Sequence, residues 1–300
     1  MSVFVNVNGQ ISEGARAAIS VFDHGFLYGE GVYEVARTYN GEPFLFDRHM
    51  QRLRASAAMI SLEVPFSDLE FLLRSSETLI AAGLGRASDN SFAEAYIRIL
   101  VTRGIGDLTY DPAATPYPSV VVIVKPAPVT PEEHYNQGVK VCIVDIIRNH
   151  PRSVNPLIKS NNLLNNALGM QQAIRNGGVE GVFRNYRGEL SECSQSNLFI
   201  VKNGVARTPS LAAGLLAGIT RAFVFELGTA TGINVEEAAL KDDDLSSADE
   251  AFFTSTTKEL VPIVQVDDKT IGSGRPGPVT KKLLAEYRRR ADEMTAAAVR

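Results

Sequence analysis

Residues 126–131 read Pro-Ala-Pro-Val-Thr-Pro, and no helix or central strand runs through such a segment. Each proline fixes φ and removes an amide donor, so three in six residues make a stiff, extended spacer. The segment falls well inside a chain of 300 residues, long enough for two cores. It divides the chain into a first domain over residues 1–125, a linker over 126–137 and a second domain over 138–300.

The first part alternates strands, turns and helices. Val3 to Val7, Asn8-Gly9 and Ile11 read as a hairpin, and so do Gly31 to Thr38, Tyr39-Asn40-Gly41 and Pro43 to Phe46. Asp47 is placed to cap a helix running to Ile60, and Ser67 one running to Ala82. Strands follow at Ala95–Thr102 and Ser119–Lys125, joined by a loop that begins Arg103-Gly104-Ile105. In the second part, strands are expected at Gly138–Ile147, Gly181–Asn185, Asn197–Val201 and Glu250–Thr254. Helices are expected at Ser160–Arg175, at Gly218–Thr231 and after Pro278. This is an α+β chain with antiparallel hairpins rather than a regular βαβ array.

Composition narrows the class by exclusion. A net charge of −4 with both signs interspersed argues against a dedicated nucleic-acid binder. Cys142 lies in an apolar run and Cys193 in a polar, turn-like one, so neither a disulfide framework nor a metal site is indicated. A reducing cytoplasm is the expected compartment. The N-terminus lacks the pattern of a signal peptide, and the apolar run Val120–Val124 is far too short to span a bilayer.

Lys159 stands out among nine lysines. It sits in Pro-Leu-Ile-Lys-Ser-Asn-Asn, where an apolar stretch gives way to a polar one, whereas Lys202, Lys269, Lys281 and Lys282 lie in turns or on a charged helix. A lysine at the lip of a buried strand is suited to Schiff-base chemistry, although many such lysines are simply exposed. Arg48 and Arg52 share a helix face, which serves equally as a solvated stripe. Glu192 lies just before the apolar run Asn197–Val201, where it could hold a protonated ring nitrogen or cap a turn. Gly218-Ile219-Thr220-Arg221 opens a helix whose free amides and hydroxyl suit a phosphate, and Thr254-Ser255-Thr256-Thr257 forms a second hydroxyl-rich turn. A lysine, a carboxylate and two phosphate cradles are together what a pyridoxal phosphate site requires.

These segments, in this order, resemble the class IV aminotransferases, the fold-type IV pyridoxal phosphate enzymes. The resemblance runs nearly end to end, through Phe26–Glu34, His49–Leu53, the Lys159 and Glu192 segments, Leu216–Arg221 and Ser255–Thr257. It implies a small and a large domain with the cofactor, pyridoxal 5′-phosphate, in the cleft between them, and a homodimer or larger homo-oligomer. Lys159 would carry the cofactor and shuttle the proton, and Glu192 would pair with the pyridine nitrogen. Arg52, Gly218, Ile219, Thr220, Ser255 and Thr256 would surround the phosphate, and Leu216 would pack on the ring. Tyr28, Tyr33, Tyr96, Arg98 and Thr257 would meet the substrate.

Within the family, Tyr96-Ile97-Arg98 resembles the Tyr-x-Arg strand of branched-chain aminotransferases, where both residues place the substrate carboxylate. That implies transamination of branched-chain L-amino acids with 2-oxoglutarate, as in branched-chain amino acid biosynthesis, by ping-pong half-reactions. Leu163 and Leu164 stand where branched-chain enzymes commonly carry a tyrosine, and Gly31–Val35 also resembles the D-amino acid enzymes. A D-amino acid or (R)-amine transaminase is therefore the alternative reading. An aminodeoxychorismate-type lyase would use the same lysine, and Tyr96 and Arg98 fit it less well. Gly25, Gly29 and Gly31 do not have the spacing of a dinucleotide-binding loop.

Overall fold

The computed structural model describes residues 3–86 and 92–297, and the chain divides into two compact units. One comprises Met1–Pro128, Ile158–Asn162 and Ala291–Arg300; the other comprises Val129–Leu157 and Leu163–Arg290.

The first unit is built on β1 (Phe4–Val7), β2 (Gln10–Glu13), α1 (His24–Leu27), β3 (Gly31–Tyr39), β4 (Glu42–Pro43), α2 (Phe46–Met59), α3 (Asp68–Ala81), β5 (Gly85–Arg86), β6 (Phe92–Ala93), β7 (Ala95–Thr102) and β8 (Ser119–Pro126). Its main sheet has the order β2-β1-β8-β7-β3-β4, antiparallel throughout. Two tight turns set the hairpin registers: Asn8 and Gly9 have φ of 51° and 94°, and Asn40 and Gly41 have φ of 52° and 77°. The second hairpin is shorter than its sequence suggests. Phe44 and Leu45 leave the sheet, Leu45 takes φ 52°, and α2 starts at Phe46, with Asp47 inside its first turn. Alternation along β3 and β7 sorts two faces. Val32, Ala36, Ile97 and Ile99 point into a core shared with Met50 and Leu53 of α2 and Phe71 of α3. Tyr33, Val35, Tyr96 and Arg98 point the other way and stay partly exposed.

Ile158–Asn162 belongs to this unit although chain of the second unit flanks it on both sides. Ile158 packs on the core, Ser160 bridges to Val32, and the Asn161 amide donates to the Gly31 carbonyl at 2.9 Å. These backbone bonds are why the helix expected from Ser160 begins only at Leu164.

The second unit carries α4 (Glu132–Asn136), β9 (Val139–Ile143), α5 (Leu164–Arg175), β10 (Gly181–Arg184), β11 (Leu190–Cys193), β12 (Asn197–Lys202), β13 (Val205–Pro209), α6 (Ile219–Thr231), β14 (Val235–Ala238), α7 (Asp242–Ser246), β15 (Glu250–Ser255), β16 (Glu259–Val266) and β17 (Lys269–Thr270). It also holds α8 (Pro278–Ala297) as far as Arg290. The sheet order is β11-β10-β9-β16-β15-β12-β13-β14, with β17 on β16. Most pairs are antiparallel, while β9 runs parallel to both β10 and β16, and β13 to β14. Glu192 and Cys193 lie within β11, fully in the sheet, rather than in a turn ahead of a strand. Among the described residues no helix is long and apolar enough to cross a membrane.

Candidate active site

In the first unit the partly exposed face of β3 and β7 gathers cations and aromatic rings. The Lys159 ammonium lies 4.5 Å from the Tyr33 ring centroid and the Arg98 guanidinium 4.0 Å from the same ring. Tyr96, two positions before Arg98 and on the same face, accepts a hydrogen bond from it; burial pushes the Tyr96 hydroxyl up while Arg98 opposes that, so the phenol keeps its proton. The Lys159 backbone is held on both sides. Its amide donates to Ser56 Oγ on α2 at 3.1 Å, and its carbonyl accepts the Tyr33 amide at 2.9 Å. Tyr28 stops α1 and packs its ring on His24 and Tyr110.

Behind this face lies a buried ion cluster. Glu34, 1% exposed, takes Arg52 Nε at 2.6 Å and Nη2 at 2.8 Å on its two oxygens, and His49 Nδ1 at 2.7 Å. Burial works against the charge on Glu34, but the Arg52 guanidinium and His49 outweigh it and hold the carboxyl well below the usual carboxylate range. Burial, opposed by Glu34 and reinforced by the charges of Arg52 and Lys159, pushes the His49 imidazole down, so it is neutral and donates from Nδ1.

In the second unit Glu192, 5% exposed, is fixed by three donors: Arg148 Nε at 2.8 Å, the Leu216 amide at 3.0 Å and Asn197 Nδ2 at 3.3 Å. Asn197 Nδ2 also donates to the Leu216 carbonyl at 3.0 Å, so Glu192, Asn197 and Leu216 form one network. Two residues on, Gly218 caps α6, and a Cβ there would sit 1.9 Å from Asn197 Oδ1. Glycine is thus required where the network meets the helix start. The amides of Ile219 and Thr220 open α6 without a side-chain cap. Ser255 ends β15, its hydroxyl accepting the Lys258 amide at 3.2 Å, and Thr256 and Thr257 occupy the turn. The buried Thr254 hydroxyl next to this turn has no hydrogen-bond partner among the described residues.

Sequence reasoning passed over several of these groups. Glu34 and Arg148 pair with residues 18 and 44 positions away, and no local signal announces them. Lys258 had no assigned place; it pairs at 2.9 Å with the fully buried Glu180.

The lysine amine beside an aromatic ring in the first unit, and in the second the buried carboxylate held by three donors and the helix start without a side-chain cap, are each of a kind that pyridoxal phosphate uses. Residues 31–266 match the family described as Amino-transferase class IV, and the chain belongs to that family. It is an aminotransferase of a class that depends on pyridoxal phosphate. A putative branched-chain-amino-acid aminotransferase of Methanocaldococcus jannaschii is 37% identical to it, over 95% of each chain. A D-alanine aminotransferase of Bacillus licheniformis is 35% identical, over 92% of this chain and 93% of the relative. The branched-chain amino acid aminotransferase of Escherichia coli superposes with a TM-score of 0.88 at 30% identity, covering 96% of this chain and 94% of that one. Another branched-chain amino acid aminotransferase, solved with pyridoxamine 5′-phosphate, superposes with a TM-score of 0.89 at 27% identity.

Proposed function

We propose that the chain transaminates branched-chain and other hydrophobic L-amino acids with 2-oxoglutarate, in two half-reactions on pyridoxal 5′-phosphate. The observation that carries this reading is the cluster of Arg98, Tyr96, Tyr33 and Lys159 on one sheet face, which pairs carboxylate donors with an amine. The similarity to the Methanocaldococcus enzyme supports it.

When bound, the cofactor supplies an electron sink for the charge left at the substrate's Cα. Lys159 Nζ would hold it and would carry the Cα proton. Glu192 would hydrogen-bond the pyridine N–H, and Arg148, Asn197 and the Leu216 amide keep its carboxylate in one orientation. Leu216 would cover the ring. As the family resemblance implies, Arg52 of the first unit, and in the second the amides of Ile219 and Thr220 and the hydroxyls of Thr220 and Thr256, would serve the phosphate, with Gly218 and Ser255 shaping the two turns of the second unit. Tyr96 and Arg98 take the substrate carboxylate, while Tyr33, Tyr28 and Thr257 line the side-chain pocket. An apolar pocket discriminates between leucine, isoleucine and valine only weakly.

A homodimer belongs to the same reading. Phe22, Phe26 of α1, Ile105, Leu108, Tyr110 and Tyr117 expose apolar surface from two segments joined by the Asp23–Ile105 bridge. Cys142 and Cys193 are buried, free thiols, which suits a cytoplasmic setting.

A second reading, transamination of D-amino acids, draws on Leu163 and Leu164 at the start of α5 and on the Bacillus relative. The two separate in a single half-reaction. The holoenzyme is mixed with L-leucine or with D-alanine, no acceptor present, and its cofactor absorbance is followed. Conversion by L-leucine alone is the expected result; conversion by D-alanine alone would replace the first reading with the second.

A further inference from the structure

We propose that Glu34 is a positioning residue for the phosphate end of the site, acting through Arg52, whose guanidinium it holds in one orientation. The inference rests on the reading of Arg52 as a phosphate ligand. Arginine loses considerable rotamer freedom when it binds an anion, and a guanidinium already forked on a carboxylate has given up that freedom beforehand. Glu34 supplies the fork from β3 with contacts of 2.6 and 2.8 Å, and is itself aligned by His49 Nδ1 at 2.7 Å. All three residues are tied to Lys159. His49 and Arg52 share a helix with Ser56, which accepts the Lys159 amide, and Glu34 follows Tyr33, which donates to the Lys159 carbonyl.

The proposal opposes a plain electrostatic expectation. Glu34 cancels charge on Arg52, so on charge alone its removal would tighten the hold on a phosphate. Orientation gives the opposite sign. Fully buried, ion-paired carboxylates are expensive to maintain, and this one stands against a proposed ligand of the cofactor rather than at a surface.

The test titrates apoprotein with pyridoxal 5′-phosphate and, separately, with pyridoxal, which lacks the phosphate. Glu34→Gln is expected to raise the Kd for pyridoxal 5′-phosphate about tenfold, the lower end for losing an outer partner of a ligating residue, and to leave that for pyridoxal within about twofold. Glu34→Asp, which keeps the charge, is expected to recover part of the loss. In an Arg52→Lys background, Glu34→Gln is expected to add nothing, because the residue through which it acts is already altered. Equal weakening for both ligands would mean that Glu34 serves only the fold, and tighter phosphate binding would mean that charge outweighs orientation; either overturns the proposal. If Glu34→Gln does not fold, the same comparison is made with Glu34→Asp: a loss confined to the phosphorylated ligand supports the proposal and an equal loss overturns it. Arg52→Lys alone separates the two layers. If it weakens both ligands alike, the reading of Arg52 itself fails. If it is selective for the phosphorylated ligand and the Glu34 variants are not, only the role of Glu34 falls.

Discussion

Arg148 reaches Glu192 at 2.8 Å with both side chains nearly out of solvent, and its Nη1 donates to Asn165 Oδ1 at 3.1 Å. Removing one member of such a pair leaves the other buried without its counter-charge, at a cost of about 3 kcal/mol. Arg148→Met is therefore expected to destabilise the protein by about that amount in urea. It should also lower kcat about tenfold or more, with a smaller change in KM, because Glu192 loses its fixed orientation. An unchanged kcat in the folded variant would mean that the Leu216 amide and Asn197 suffice to align the carboxylate. Glu180 is the contrasting case. Burial pushes its carboxyl up and Lys258, its cationic partner, opposes the shift. Such a group contributes most at low pH, and that contribution is lost as pH rises through its folded value. Lys258→Met is expected to cost about 3 kcal/mol at pH 8 and clearly less at pH 5, where Glu180 is protonated more readily. Equal losses at both pH values would show that Glu180 keeps its charge without the lysine.

Elements were legible where the signal is local. Ser67 and Glu70 make a full capping box on α3, with Ser67 Oγ accepting the Glu70 amide and the Glu70 carboxylate accepting the Ser67 amide at 2.7 Å. Ser67→Ala is expected to lower the unfolding free energy by about 1 kcal/mol, leaving cofactor binding untouched. A thermal melt of the two proteins measures it, and identical curves would mean that water or Glu70 replaces the cap. The Asn-Gly turns fixed both first-unit hairpins in the same local way, and Gly218 ahead of α6 likewise. The departures have distant causes. Ser160 and Asn161 look like the start of a helix, but the Lys159 carbonyl beside them accepts the Tyr33 amide and the Asn161 amide donates to the Gly31 carbonyl, more than a hundred residues earlier. Glu192 looks like a turn residue because its strand is short and polar; it is a strand only by pairing with β10. The candidate site follows the same rule. Lys159, Tyr33 and Arg98 could be picked out singly, and the structure brings them together, whereas Glu34 and Arg148 become visible only as partners.

At the scale of the whole molecule, the acid limb of stability follows from the buried ion cluster. The folded protein keeps Glu34 ionised where the unfolded chain takes up a proton near its ordinary value of 4.5. It also keeps His49 neutral where the unfolded imidazole is protonated below 6.5. Both contributions are complete above those ordinary values and are lost as pH falls below them, each by up to about 1.4 kcal/mol per pH unit. Urea unfolding from pH 7 to pH 4 is expected to show falling stability, with a shallower slope below 4.5 in Glu34→Gln than in the parent. Parallel curves would place the acid sensitivity elsewhere. The return of Ile158–Asn162 to the first unit bears on how the protein is made. A ribosome that has finished Pro128 has finished every described strand of the first sheet, and Gly31 to Tyr33 can pair with β7, yet the Gly31 carbonyl and Tyr33 amide on the other edge still lack their partners. That edge stays open until Lys159 to Asn161 have been synthesised, and the nascent chain must bridge the interval with one strand edge exposed.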